Sequence, residues 1–92
     1  MEKTAQFKVS ATTNPNKLAG AIVKTLKEGN KVEVVSIGAL ALNQAVKALI
    51  VSNTFLASEG KRLHITPGFG EVHVEEDKEL TSIQFFLTLS NL

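Results

Sequence analysis

The stretch SIGALALNQAVKALIVSN, residues 36–53, decides how this chain is read. It begins as the end of a β-branched run, turns at Gly38, and continues with the spacing of an apolar helix. That helix is predicted from about Ala39 to Leu56, with Leu42, Val46, Leu49, Ile50 and Phe55 as its apolar side. A strand that passes through a glycine into a helix is the unit of an α/β fold. The first two turns of the helix also carry Asn43, Gln44 and Lys47, polar residues on an element otherwise suited to a core.

Upstream, AQFKVS at residues 5–10 alternates, with Phe7 and Val9 on one face and Gln6 and Lys8 on the other, as in a half-buried strand. ATTNPN follows as a polar loop. Asn14 is a good N-cap and Pro15 suits the first helical position, where an N–H would lack a partner. Leu18, Ile22 and Leu26, with Ala19 and Val23, mark one face of a first helix that Gly29 ends. KVEVVSIG then reads as a strand buried inside a sheet.

Downstream, KRLHIT alternates, PGFG implies a bulge or bend, and EVHVEE resumes the alternation. EEDKE is a charged turn, and LTSIQFFLTLS is a last strand with Ile83, Phe85, Leu87 and Leu89 in step. These two arms form a long hairpin. The order strand, helix, strand, helix, strand, strand predicts a two-layer α/β sandwich. Both helices cover one face of a four-stranded sheet, with right-handed parallel crossovers and a partly uncovered second face open to self-association.

The 92 residues fit one domain, residues 1–92. Hydrophobic residues make up 43% and charged residues 21%, a composition that folds. Net charge is +1, so any attraction for nucleic acid must come from the distribution of charge rather than its total. There is no cysteine, hence no disulfide or thiol chemistry. No uninterrupted apolar run reaches the roughly 18 residues of a bilayer span, and no signal-like segment is seen, so a cytoplasmic protein is expected.

Three segments, KVSATTNPNKLAGAI, SIGALALNQAVKAL and TPGFGEVHV, resemble the stage V sporulation protein S family; the second is the most specific. The resemblance spans about Phe7 to Leu89. That family is related to the Alba-like nucleic-acid-binding proteins. The resemblance therefore implies a β-α-β-α-β-β fold, a homo-dimer or homo-tetramer, and a role in regulating development. It also implies a surface facing DNA or RNA, or a second subunit, at the first strand–helix loop and the start of the second helix.

By position, Gly38, Asn43, Gln44 and Lys47 fall in that region. Gly38 permits close backbone approach, the N–H groups of about Ala39 to Ala41 suit a phosphate, the amides suit bases, sugars or phosphates, and Lys47 neutralises one phosphate. The bland alternative is a solvated stripe of Asn43 and Lys47, four residues apart, or a hydrogen bond of Asn43 across a dimer. Asn14, Asn16 and Lys17 at the mouth of the first helix form a second candidate group, which Lys8 extends; the alternative is a cap and a solvated lysine. The expected device is two helix beginnings, brought together by assembly into a cationic hollow.

One departure from Alba proteins stands out. Their hairpin arm is typically basic, whereas this tip reads Glu75, Glu76, Asp77, Lys78, Glu79, which a phosphate backbone repels. With no Trp or Tyr, and five Phe mostly in core-like registers, a base-stacking platform finds little support. His64 and His73, nine apart, match no metal spacing, the serines lie in no nucleophile elbow, and GFG is no phosphate loop. No enzyme activity, cofactor, metal, membrane or small-molecule substrate is expected. The rival to a nucleic-acid-binding regulator is a protein-interaction or scaffolding module of the same fold.

Overall fold

A computed structural model describes residues 3–92, apart from the side chain of Glu75. The elements are β1 (Thr4–Val9), α1 (Pro15–Lys27), β2 (Lys31–Ser36), α2 (Ala39–Ser58), β3 (Lys61–Glu75) and β4 (Lys78–Asn91). This is the expected β-α-β-α-β-β order, with two helices and a four-stranded mixed sheet.

The sheet order is β1-β2-β4-β3. β1 and β2 are parallel, and β4 runs antiparallel to both β2 and β3. β3 is thus parallel to β2 but one strand removed, and the α2 crossover spans the strand that later fills the gap. β2, flanked on both edges, is the strand rich in valine.

α1 forms where the sequence predicts. Asn14 Oδ1 accepts from the N–H groups of Asn16 (2.9 Å) and Lys17 (3.2 Å), and Pro15 opens the helix. Leu18, Ala19, Ile22, Val23 and Leu26 are its buried face, and Gly29 beyond the cap sits at φ +91°, where a side chain is strained. These residues meet Val9, Val32, Val34, Leu63 and Leu87 from the strands, with Phe7, Phe85 and Leu89 packed beside them. Ile22, Leu56 and Leu87 are fully buried, each contributing about 1.5–3 kcal/mol.

α2 departs from expectation. Its buried face is Ala41, Ala45, Ala48, Leu49, Ser52 and Leu56. Of the predicted apolar side, Leu49 is buried and Leu42 half-buried, while Val46, Ile50 and Phe55 are exposed. The reason is steric: a helix lying against both α1 and the sheet turns its small residues inward. By length and composition alone, with a mean hydropathy of 1.2, α2 is long and apolar enough to cross a membrane. The expectation from uninterrupted runs missed this because its polar residues are scattered; here its alanine face is packed as that of a core helix.

The phenylalanines also differ from expectation. Phe7 and Phe85 pack on the core, but Phe55, Phe69 and Phe86 are exposed, Phe69 at 83%. Phe86 pairs with Glu33 and Thr66 on the sheet face away from the helices, and Phe69 lies where the hairpin leaves the helical layer.

The β3–β4 hairpin outruns its neighbours. The last β2 residue, Ser36, pairs with Ile83, whereas the hairpin ladder continues to Glu75–Lys78. Five more residues at about 3.4 Å each carry a two-stranded arm about 17 Å past β2. Pro67 stays in the ladder opposite Phe85, as an edge strand allows; the register breaks instead between Phe69 and Val72.

The two-residue turn places Glu76 at φ 50° and Asp77 at φ 64°, the sign pattern of a type I′ turn, in residues that adopt it poorly. Replacing the pair with Asn-Gly (Glu76→Asn, Asp77→Gly) is expected to stabilise the protein by about 1–2 kcal/mol. Denaturant unfolding with an unchanged slope and a raised midpoint checks this.

Candidate nucleic-acid interface

Because β1 and β2 are parallel, the loops into α1 and α2 leave the sheet at one end. β4 is antiparallel to β2, so the arm projects past that same end. The two helix starts are therefore brought together within a single chain, without the assembly that the sequence reading invoked.

The junction is built from short polar side chains. Ser10 N–H donates to Thr13 Oγ1 (2.9 Å) and Thr13 N–H to the Ser10 carbonyl (3.2 Å), closing the loop before Asn14 caps α1. Gln44 Nε2 donates to the Thr13 carbonyl at 2.8 Å, pinning this loop to the second turn of α2. Gln44 is half-buried and structural in that bond, which answers why one of the polar residues stands on this helix. The sequence reading missed Thr13 and Ser10; the S-x-x-T spacing before a capped helix was the available signal.

Gly38 precedes α2 at φ 92° and ψ 157°, a region open essentially to glycine alone. Among the described residues no side chain caps α2, and Leu42 N–H donates to the Gly38 carbonyl at 3.0 Å. The N–H groups before Leu42 are left for an outside acceptor.

The predicted residues do not form one cluster. Asn14, Asn16, Lys17, Gly38 and Gln44 share the end of the sheet. Asn43 and Lys47 are exposed on α2, with Lys47 about 12 Å along the axis from Ala39. Lys8 pairs with Val35 on the sheet face away from the helices, across the sheet from the rest. Lys24 and Lys27 line a groove of about 640 Å³ between the helices, floored by Ala19, Val23, Val51 and Phe55. There Lys27 Nζ meets Glu59 Oε1 at 2.9 Å and sits 5.7 Å from the centre of the Phe55 ring.

Of the acidic tip, Glu76, Asp77 and Glu79 are exposed near the end of the arm, and the Glu75 side chain lies outside the described residues. His64 bonds Ser90 Oγ at 2.7 Å on the sheet face that carries Phe86. Among the described residues no three His, Cys, Asp or Glu groups gather where they would hold a metal ion.

A two-layer α/β sandwich with both helix starts at one end and a projecting terminal hairpin is the class that fold and site define. The family model for Stage V sporulation protein S (SpoVS) matches residues 5–90, and the chain belongs to that family. Membership places it among sporulation-related small regulatory proteins.

Gln44→Ala is expected to cost about 0.5–1.5 kcal/mol and to speed amide exchange in residues 11–13 while β2 stays protected. Native-state hydrogen exchange reads both; unchanged loop protection would mean the bond does not hold the loop.

Proposed function

We propose that this protein is a cytoplasmic, non-enzymatic regulator, a single Alba-like domain that binds DNA or RNA mainly through the backbone. The contact surface is the β1–α1 loop and the start of α2. The observation that carries this reading is the pairing of two helix starts at one end, one capped by Asn14 and one uncapped behind Gly38. Uncapped N–H groups donate to a phosphate oxygen, Lys17 supplies the nearest cation, and Asn16 and Asn43 orient the strand. Lys47 reaches a phosphate further along. Gln44 acts by holding the loop, and Lys8 belongs to the other side of the sheet.

The same surface works in a homo-dimer or homo-tetramer. A compact monomer of 9.9 kDa exposes about 5200 Å². This chain exposes 6044 Å², a surplus close to the roughly 800 Å² each partner buries in a standard interface. Exposed Leu40, Ile50, Phe55 and Phe69 are apolar side chains such an interface would cover. They equally support the second reading, a scaffolding module in which the helix faces meet protein alone.

A salt titration separates the two. Anisotropy with generic duplex and single-stranded DNA and RNA is expected to give log K falling with log salt, at a slope of about −1.8 on duplex DNA and about −1.4 on single strands, for Lys17 and Lys47. Lys17→Glu and Lys47→Glu should each weaken binding and flatten the slope. No binding at low salt by a folded oligomer sinks the nucleic-acid reading, and an unaffected Lys47→Glu variant removes that lysine from the surface.

A further inference from the structure

On the sheet face away from the helices, the arm closes over the ends of β1 and β2 and leaves a pocket of about 240 Å³. Its polar lining is Gln6, Lys8, Glu71, His73, Ser82 and Gln84; Val9, Val35 and Ile37 supply the apolar part. The bulge makes it. A Cβ at Gly70 would land on Ser82 Oγ and the Gln84 amide, so the glycine lets the backbone of β3 fold down there without displacing those side chains.

Two features mark the pocket as unfinished in the free chain. Ser82 is 1% exposed, and its Oγ is buried without a hydrogen-bond partner. A buried hydroxyl without a partner is costly and uncommon. The amides of Gln6 and Gln84 also have no partner among the described residues, so each offers a free donor and a free acceptor.

The size and lining select the ligand. The volume is that of about eight waters, too large for a lone ion and below the range of drug-sized pockets. A flat ring fits against Val35 and Ile37, since Val9 borders the pocket but turns its side chain to the core. Its edge needs both donors and acceptors to meet two amides, Glu71 and a serine. An attached anion is met by Lys8. We propose that the pocket holds the base of one nucleotide, unstacked between the sheet and the arm, with the sugar outside and the phosphate on the exposed Lys8. Bases out of their stack are bound in this way, by edge hydrogen bonds and apolar side chains. The inference rests on the proposed function only for the source of the nucleotide, a single strand or a free nucleotide.

The test uses the full ¹⁵N-labelled chain with AMP, CMP, GMP and UMP, with single-stranded oligoadenylate and oligouridylate, and with duplexes. Nucleotides and single strands are expected to shift the amides of residues 70–73 and 82–84. Ser82→Ala and Gln84→Ala should each weaken binding about three- to tenfold while circular dichroism stays native. Gln6→Ala, at an exposed position, gives the same reading free of any folding defect. Shifts with mononucleotides but no strand binding keep the pocket, assign it to a free nucleotide, and remove the polynucleotide surface. Strand binding with silent pocket amides and unaffected variants overturns the pocket and leaves the helix-start surface standing. If no probe binds, both fall.

Discussion

The burial of the small-residue side of α2 is the constraint on which the rest of the structure depends. Its inward side is Ala41, Ala45, Ala48 and Ser52, with Leu49 and Leu56 as the large members. The Ser52 hydroxyl donates to the Ala48 carbonyl at 2.8 Å, so this polar group enters the core satisfied. Small side chains let two packed helices approach the short end of the usual 8–10 Å range. From the second turn of α2, Gln44 reaches the Thr13 carbonyl at 2.8 Å and ties the loop before α1 to α2. The same constraint drives the large apolar residues outward, so the tight core and the apolar surface at Ile50 and Phe55 have one cause.

Charge is arranged by distance rather than by total. Glu79 stands about 13 Å beyond the end of β2, and Glu76 and Asp77 nearer 20 Å. At physiological salt the Debye length is about 8 Å, so the acids at the tip barely oppose the lysines beside the helix starts. At about 0.01 M salt the length grows to about 30 Å and the two regions sense each other. A net charge of +1 therefore hides separate fields whose coupling is set by ionic strength.

Much of the fold was legible because its signals are local. Asn14-Pro15 starts a helix, Gly29 ends one, and the alternation around Phe7 gives a strand, each within a few residues. The place of β4 between β2 and β3 left no local trace, since a hairpin fixes only its own two strands. The inward side of α2 was misread because apolar residues lie nearly all around it; side-chain volume chose the face, and hydrophobicity alone does not report volume. The exposure of Phe86 follows from register: Phe85 and Phe86 must point to opposite faces, and only one face is covered by helices. Within the candidate site, glycine and cap positions were readable, but the role of Gln44 depends on a carbonyl 31 residues away. PGFG marked the bulge to within a few residues, but the pocket under the arm depends on which strands the bulge brings together, and no local pattern reports that.

The outer stripe of α2 joins the two readings of function. Asn43, Lys47, Ile50 and Thr54 follow one another at helical spacing, and all are exposed. A stripe that only faced water would not need Ile50 at 61% exposure, and a phosphate backbone gains nothing by covering it. A second protein surface does gain by covering it, to the extent of its buried apolar area. The start of the helix, with Gly38 and free N–H groups, offers polar contacts that an apolar partner would leave unpaired at a cost. One element thus presents a polar start suited to an anion and an apolar continuation suited to a subunit contact. On the proposed reading, Lys47 at their boundary serves a phosphate only where a second subunit leaves it uncovered, and the geometry of assembly would set how much of α2 stays open to a polynucleotide.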